Sequence, residues 1–150
     1  ALLVFLDQIQ DPHNLGAIIR SAHALGAQGL VVPERESAGL SPAALKASAG
    51  AALHLPVCRV ANLQKALQKA ASLGLFITGL TANGDRAFTE IDFAKSCALV
   101  IGSESKGLRR MVEKRCDALV QIPMVADRVG SFNASVAAGI VLYEVYRQRQ

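Results

Sequence analysis

The sequence predicts an α/β fold, with a parallel sheet covered by helices on both faces. Short apolar runs, each long enough for one buried strand, alternate with stretches in which apolar residues recur every three or four positions. Strands separated by helices require right-handed crossovers, which set the strands parallel and place helices on both sides of the sheet. The chain has 150 residues, of which 51% are apolar, and this is enough for the core of one domain.

The first half of the chain has the clearest periodic pattern. Leu2–Leu6 is an apolar run that predicts a buried strand. In Asn14–Leu25 the apolar residues have helical spacing, and Asp11 and Pro12 before it favour a helix start. Further along we predict a strand at Gly29–Val32, an Ala-rich helix at Pro42–Ala52, a strand at Leu55–Val60 and a helix at Asn62–Leu73, capped by Asn62.

The second half continues the alternation and ends in a long helix. We predict strands at Leu75–Leu80, Ala98–Ile101 and Leu119–Ile122, a turn at Thr81–Asp85, a short helix at Leu108–Arg115 and a final helix at Ser131–Arg149. Ser131 is a favoured N-cap for that last helix. Ligands of parallel sheets bind beyond the carboxyl ends of the strands, so we expect the chemistry in loops that follow strands.

The charge of the chain is compatible with a nucleic-acid partner without requiring one. The net charge is +4 and the sequence pI is about 9.2, an excess that many enzymes without such a partner share. The densest basic cluster comprises Arg109, Arg110, Lys114 and Arg115. From the sequence, this cluster is equally consistent with a solvated helix face and with a phosphate-binding face.

The cysteines and the apolar runs argue against several classes of protein. Three cysteines, an odd number with no Cys-x-x-Cys pair, support neither a disulfide framework nor a zinc site and favour a reducing cytoplasm. No apolar run reaches the roughly 18 residues of a membrane span, and Ala1–Leu6 is too short for a signal peptide. Because the chain starts without Met and directly in a predicted strand, we expect a single domain, residues 1–150, cut from a longer protein.

The first candidate loop follows the first strand and leads into the helix that carries Asn14 and Arg20. Gly16 has no side chain, so another backbone or a ligand can approach the first helical turn. Asn14 and Arg20 are six positions apart, a little under two turns, and lie loosely on one side of the helix. One interpretation is a capped helix with a surface arginine. The other is a guanidinium that meets an anionic partner such as phosphate.

The second candidate loop, Ile101–Leu108, is bounded by two glycines with the spacing of a phosphate loop. Leu108 stands where a Walker loop has lysine, however, and the GxGxxG pattern of dinucleotide folds is absent. A carboxylate such as Glu104 is a poor cradle for phosphate and a good partner for a cation, a hydroxyl or an arginine. The loop therefore fits a positively charged or polar ligand better than a phosphate.

The third candidate region combines Ile122–Met124 with the start of the final helix, Ser131–Gly139. Small polar residues crowd this helix start, and Asn133 and Ser135 are poor choices for a helix interior unless their side chains are used. A well-capped, closely packed helix would explain the same residues.

Taken together, these regions resemble the SpoU-type (TrmH-like) RNA 2′-O-ribose methyltransferases, and the resemblance covers nearly the whole chain. The matching motifs are Asn14 with Arg20, Ile101–Leu108, Ile122–Met124 with Ser131–Gly139, and Lys46–Ala51. Each motif alone is weak, but all of them in this order and strand context are specific. Two positions depart from the family pattern: Ser105 replaces a Gly-like residue, and Phe132 replaces a leucine, which would narrow the adenine pocket.

The resemblance implies features that the residue pattern alone does not predict. Members of this family tie the C-terminal part of the sheet into a trefoil knot, bind S-adenosylmethionine in the knot loops, and form homodimers with the active site at the interface. By this resemblance the cofactor-binding residues are Leu80, Thr81, Gly102, Ser103, Glu104, Gly107, Ile122, Met124, Phe132 and Asn133. The catalytic residues are Asn14, Arg20, Glu104, Asn133 and Ser135, with Arg20 a candidate for supply by the partner subunit and no metal required.

The activity implied is transfer of a methyl group from S-adenosylmethionine to a ribose 2′-hydroxyl of RNA in the cytoplasm. Ribosomal RNA is favoured over transfer RNA, with guanosine as the candidate nucleotide, and relatives often carry a separate RNA-binding domain before this one. Arg20 would act either as the base for the hydroxyl proton or as a clamp for an RNA phosphate, and a guanidinium suits the second role better. The alternatives are a small-molecule methyltransferase or nucleotide-binding enzyme, a base methyltransferase of a related knotted family, and a non-catalytic RNA-binding module.

Overall fold

A computed structural model of the chain describes residues 1–125 and 131–150, and its strands form one parallel sheet. The strands are β1 (Leu2–Asp7), β2 (Gly29–Pro33), β3 (Val57–Val60), β4 (Phe76–Leu80), β5 (Arg86–Ala87), β6 (Cys97–Gly102) and β7 (Ala118–Gln121). The seven strands lie in the order β3-β2-β1-β6-β4-β7-β5. The helices are α1 (Pro12–Ala24), α2 (Pro42–Ala47), α3 (Leu63–Ser72), α4 (Arg110–Glu113) and α5 (Ala134–Gln148).

Helices cover both faces of this sheet, as the sequence predicts. Successive side chains of a strand point to opposite faces. In β1, Leu2, Val4 and Leu6 join a core that includes residues of α1, α2 and α5. Leu3 and Phe5 pack in a second core with residues of α3 and α4. The α/β class with helices on both faces is therefore confirmed.

The close approach expected at Gly16 is made by another helix. A Cβ at Gly16 would overlap the carbonyl oxygen of Ala44 and the side chain of Ala47, and would lie 2.9 Å from the backbone nitrogen of Ser48. The Ser48 side chain is fully buried and donates to the Leu45 carbonyl over 2.7 Å. The segment Lys46–Ala51, singled out in the sequence, thus serves to pack α2 closely against α1.

The predicted helix Pro42–Ala52 is wrong in its second half. Helix α2 ends at Ala47, and Ala49 and Gly50 then adopt positive φ angles of 53° and 86°. A right-handed helix cannot continue through that region, so the chain turns and resumes as a single 3-10 turn at Ala51–Leu53. Strand β5 (Arg86–Ala87) was not predicted, because two residues carry no periodic pattern.

The start of α5 also differs from the prediction. Asn133, not Ser131, is the N-cap: its Oδ1 atom accepts hydrogen bonds from the backbone nitrogens of Ser135 at 2.9 Å and Val136 at 3.4 Å. Asparagine is as good a cap as serine, so residue preference alone does not choose between the two. The polar residues that crowd this helix start are consequently part of its cap.

The last turn of α5 holds a compact group of charged and polar side chains. Glu144 is buried, 8% exposed, and accepts from Arg147 at 2.8 Å and from Gln148 at 2.9 Å. These hydrogen bonds hold the pKa of Glu144 well below its usual 4.5, at about 2. Gln148 also accepts from the backbone nitrogen of Phe93 over 2.7 Å, which ties α5 to the segment before β6.

Candidate active site

A cavity of about 350 Å³ lies where β4, β6 and β7 end and α5 begins. This is the carboxyl edge of the parallel sheet, where ligands of such folds bind. It is lined by Leu80, Thr81, Ala82, Ile101, Gly102, Ser103, Glu104, Gly107, Gln121, Ile122, Met124, Ser131, Phe132, Ala134 and Ala137. The volume lies within the range of about 300–1,000 Å³ that is typical of small-molecule sites.

Nine of the ten residues proposed from the sequence to bind a cofactor line this one cavity. The tenth, Asn133, is not among the lining residues, although its neighbours Phe132 and Ala134 are. Gln121, a polar lining residue at the end of β7, was not predicted from the sequence. Its position directly before the Ile122–Met124 motif was the signal that could have identified it.

The cavity has few charged groups among the described residues that line it. Glu104 is the one charged side chain among the described residues that line it, and it is exposed to solvent. Leucine, isoleucine and phenylalanine side chains supply apolar walls, while Thr81, Ser103 and Gln121 add polar groups. A cavity of this kind suits a ligand with an apolar, planar part and a positively charged part.

The loop after β6 has a defined hairpin-like shape. The backbone nitrogen of Gly107 donates to the Ser103 carbonyl over 2.8 Å, and the backbone nitrogen of Lys106 donates to Ser103 Oγ over 3.0 Å. Gly107 has a φ of +64°, which favours glycine. A Cβ at Gly102 would overlap the Gly107 carbonyl and lie 2.8 Å from the Leu108 nitrogen, so Gly102 has no room for a side chain.

Residues at the end of β1 anchor this loop. Asp7, fully buried, accepts from the backbone nitrogen of Arg109 at 2.7 Å and from its Nε at 2.8 Å. A third contact joins Arg109 Nη2 to the same carboxylate at 2.8 Å. The next residue, Gln8, donates from Nε2 to the Gly107 carbonyl at 3.0 Å. Asp7 and Gln8 were not predicted from the sequence, although an acidic residue at the end of an otherwise apolar strand could have indicated them.

The pairing of Arg109 with Asp7 also bears on the basic cluster found in the sequence. Arg109 does not belong to a freely solvated helix face, because its guanidinium is held against a buried carboxylate. Arg110, Lys114 and Arg115 are exposed. For these three residues both interpretations left open by the sequence still apply.

Two of the proposed catalytic residues contact each other at the start of α5. Ser135 Oγ donates to Asn133 Oδ1 over 2.6 Å, and Asn133 is exposed. Glu104 lies across the cavity rim in the loop after β6. The single chain thus brings Glu104, Asn133 and Ser135 to one edge of the sheet.

Asn14 and Arg20, the other two proposed catalytic residues, lie on α1 and do not line the cavity. Arg20 is exposed, and its side chain makes no hydrogen bond or ion pair with any residue in the described parts of the chain. Within one chain, then, the arginine and the cavity are separate features.

The cysteine thiols lie outside the cavity. Burial raises the pKa of Cys97, and burial together with the nearby carboxylates of Asp117 and Glu113 raises the pKa of Cys116 to about 12. A thiol with so high a pKa is not available as a thiolate nucleophile at neutral pH.

Residues 1–125 and 131–150 form neither a metal-binding cluster nor a membrane-spanning helix. No cluster of three or more His, Cys, Asp or Glu side chains there is arranged to hold a metal ion. In the same residues, no helix combines the length and the apolar character needed to cross a membrane.

Comparison with known protein families identifies the chain. Residues 1–143 match the family described as SpoU rRNA Methylase family. The chain belongs to this family. The resemblance stated from the sequence is thereby confirmed, and the cavity lies in the part of the chain that carries the family motifs.

Several members of the SpoU family are similar to this chain. YacO of Bacillus subtilis, named as a TrmH family tRNA/rRNA methyltransferase, is 48% identical over 146 residues, covering 97% of this chain and 58% of YacO. The SpoU methyltransferase AviRb of Streptomyces viridochromogenes, crystallised in complex with the cofactor AdoMet, is 35% identical with a TM-score of 0.89, covering 99% of this chain and 60% of AviRb. A structure of an RNA 2′-O ribose methyltransferase is 29% identical with a TM-score of 0.86, covering 99% and 56%.

The chain therefore spans little more than half of the length of these relatives. What it shares with them is the α/β domain with its parallel sheet.

Proposed function

We propose that this chain transfers a methyl group from S-adenosylmethionine to a ribose 2′-hydroxyl of RNA, with ribosomal RNA as the favoured substrate. The observation that carries the proposal is the cavity at the carboxyl edge of the sheet, lined by the family motifs and containing Glu104 as its one charged side chain among the described residues. Family membership supports methyl transfer to RNA. The likeness to an RNA 2′-O ribose methyltransferase supports the ribose as acceptor.

The residues present fit S-adenosylmethionine. Apolar side chains of Leu80, Ile122 and Phe132 form walls that suit an adenine ring. Glu104 supplies a negative charge for the cationic end of the cofactor. Gly102, which has no room for a Cβ, keeps the loop backbone close to the cavity. AviRb, crystallised with AdoMet, shares 35% of its residues with this chain over the same domain.

When bound, S-adenosylmethionine would supply an electrophilic methyl group: the ribose oxygen forms the new C–O bond as the C–S bond of the sulfonium breaks, the hydroxyl proton passes to solvent, and S-adenosylhomocysteine leaves. The chain must therefore orient two substrates and assist the loss of that proton. Arg20 is the residue that we assign to the RNA, as a clamp on a phosphate beside the acceptor ribose. Glu104, Asn133 and Ser135 orient the ribose hydroxyl at the cavity rim.

The active site is proposed to form between two copies of the chain. Arg20 does not line the cavity of its own chain, which supports its supply by the partner subunit. Helix α5 exposes Val136, Tyr143 and Tyr146, which are 49%, 57% and 39% exposed, and helical spacing puts them on neighbouring faces. Apolar side chains exposed together in this way favour a protein partner, and α1 packs beside α5.

Mixing two inactive variants tests this arrangement. Arg20→Ala and Asn133→Ala would each be inactive alone. If Arg20 acts on the partner's cavity, one site of a mixed dimer combines the native Asn133 of one subunit with the native Arg20 of the other. The second site carries both substitutions, so the mixture regains part of the activity. If Arg20 acts on its own cavity, no activity returns.

Three further features belong to the same proposal. The trefoil knot is supported by the strand order, in which β4 lies between β6 and β7, and a crystal structure of the chain tests it. An additional RNA-binding domain is supported by the greater length of the relatives, and a cytoplasmic location by the RNA substrate. A fluorescent fusion of the full-length protein would test the location.

Two measurements test the activity. Calorimetric titration of the chain with S-adenosylmethionine and with S-adenosylhomocysteine should show saturable binding of both. Incubation with tritiated cofactor and total ribosomal RNA should leave the label in alkali-resistant dinucleotides, because a 2′-O-methyl group blocks alkaline cleavage of its own phosphodiester. Label in the mononucleotides released by alkali would indicate a base methyltransferase. RNA binding without cofactor binding would indicate a non-catalytic module.

A further inference from the structure

A second, smaller groove of about 200 Å³ lies on the same edge of the sheet, beyond the ends of β2 and β3. It is lined by Pro33, Arg35, Glu36, Ala61, Asn62, Leu63, Gln64 and Arg109. None of these residues lines the first cavity, and none was assigned a role above except Arg109, which pairs with Asp7. The groove is therefore separate from the cavity that we assign to the cofactor.

Arg109 enters this groove in a fixed orientation. Its Nε atom donates to Oδ1 of the buried Asp7 carboxylate over 2.8 Å, and its Nη2 atom lies 2.8 Å from the same oxygen, so one edge of the guanidinium is held against Asp7. The arginine side chain remains 39% exposed, and its Nη1 atom makes no hydrogen bond within the described residues. An arginine held in this way has already lost most of its rotamer freedom, so its remaining donors bind an anion at low entropic cost.

The groove contains further donors and one acceptor. Arg35 is exposed, and its side chain has no hydrogen-bond or ion-pair partner in residues 1–125 or 131–150. The first turn of α3 contributes the backbone N–H groups of Leu63 and Gln64, which precede the first intrahelical hydrogen bond. Glu36 places a carboxylate in the same groove. This carboxylate repels a free anion and accepts hydrogen bonds from hydroxyl or N–H groups.

We infer that this groove binds one nucleotide of the single-stranded RNA substrate, with its phosphate on Arg35 and Arg109 and its ribose hydroxyl on Glu36. The inference rests on the proposed function for RNA as the substrate. The groove is smaller than a typical small-molecule site, which fits one unit of a polymer rather than a complete small ligand. Two guanidinium groups can bind a phosphate. A carboxylate beside them can accept a hydrogen bond from the 2′-hydroxyl that distinguishes RNA from DNA.

The test is the salt dependence of poly(U) binding, measured by fluorescence anisotropy with the whole chain. Each phosphate contact that is lost reduces the magnitude of the slope of log K against log salt by about 0.7 for a single strand. Arg35→Ala should therefore reduce the magnitude of the slope by about 0.7, while Arg35→Lys, which keeps the charge, should retain it. Lys69→Ala removes the same charge from an exposed position near the other end of α3 and should leave the slope unchanged.

An unchanged slope in Arg35→Ala, an equal loss in Lys69→Ala, or no binding of poly(U) by the unsubstituted chain would each overturn the inference. Cofactor titration separates this from the proposed function, because Arg35→Ala should bind S-adenosylmethionine as the unsubstituted chain does. If the unsubstituted chain fails to bind the cofactor, the proposed function fails instead, whatever the slopes are.

A second variant tests the assignment of Glu36. Glu36→Ala removes both the repulsion of the phosphate and the acceptor for the ribose hydroxyl. It should therefore strengthen binding of poly(dU) and narrow the preference for poly(U) over poly(dU). An unaltered ratio of the two affinities would exclude a contact between Glu36 and the hydroxyl.

Discussion

The buried carboxylate of Asp7 accepts hydrogen bonds from both the backbone nitrogen and the guanidinium of Arg109, which lies 102 residues further along the chain. This pair joins the end of β1 to the end of the loop that forms one wall of the larger cavity. It is a buried charge with a single cationic partner among the described residues. Removing that partner leaves the charge uncompensated, which is costly in a protein interior.

Arg109→Ala should lower the free energy of unfolding by about 2–3 kcal/mol, because Asp7 keeps only the backbone donor. Urea unfolding followed by circular dichroism measures this change. Arg110→Ala is the matched control, since Arg110 is exposed and should change the stability by less than about 0.5 kcal/mol. Equal stabilities of the two variants would mean that the pair contributes nothing measurable.

Gly102→Val should weaken binding of S-adenosylmethionine about ten- to a hundredfold, since overpacking costs about 1–3 kcal/mol where a side chain has no room. Even a Cβ at this position overlaps the Gly107 carbonyl, so the loop must move. Gly39→Ala is the control, because a Cβ there meets nothing within 4 Å. Calorimetric affinities of the two variants give the comparison, and native affinity in Gly102→Val would place the cofactor elsewhere.

Arg20→Ala and Arg20→Lys should both lower the turnover of RNA methylation, by about 10²–10³-fold for the loss of one positioned donor. The lysine variant keeps the charge but lacks the planar fork that binds two phosphate oxygens at once. Methylation rates at saturating cofactor measure the effect, with cofactor affinity expected to stay unchanged. Near-normal turnover of Arg20→Lys would reject the clamp and leave a role for the charge alone.

Glu144→Gln should remove a component of stability that depends on pH. The folded-state pKa of Glu144 is about 2, below its usual 4.5, so its contribution is complete above pH 4.5 and is lost as the pH falls towards 2. The variant should be less stable at neutral pH by about 1–2 kcal/mol, from the loss of hydrogen bonds to a charged group.

The same variant should be less sensitive to acid than the unsubstituted chain between pH 4.5 and 2, the window set by Glu144. Urea midpoints across this range supply the measurement. Glu34→Gln is the control, because Glu34 is exposed and its side chain has no partner among the described residues. Parallel pH profiles of Glu144→Gln and the unsubstituted chain would contradict the assignment.

Much of this architecture could be predicted from the sequence, because apolar residues occur in runs in buried strands and at helical spacing in amphipathic helices. The strand Leu2–Asp7 and the helix Pro12–Ala24 were predicted within a few residues. The break after Ala47 was not, because it depends on Ala49, an alanine whose positive φ its residue type does not favour. The start of α5 depended on a choice between two good capping residues.

The site could be predicted in part. Nine of the residues identified from sequence motifs as cofactor-binding line one cavity. They lie together because the loops that carry them follow strands that end at the same edge of the sheet. The contact between Asp7 and Arg109 could not be predicted, since no local pattern links residues 102 positions apart. The contact that Arg20 makes could not be predicted either, because its exposed side chain has no partner among the described residues.

The strand order of the sheet has a consequence for folding during synthesis on the ribosome. β1 pairs with β6 through partners such as Leu2 and Cys97, which are 95 positions apart. At about 5–20 residues per second, the ribosome needs about 5–20 seconds to add that intervening length. During this interval β1 can form its native pairing only with β2. Its other edge is unpaired and can form non-native pairs with another strand. Insertion of β6 between β1 and β4 is therefore expected to follow the emergence of Gly102, and it should be among the slow steps in the folding of the chain.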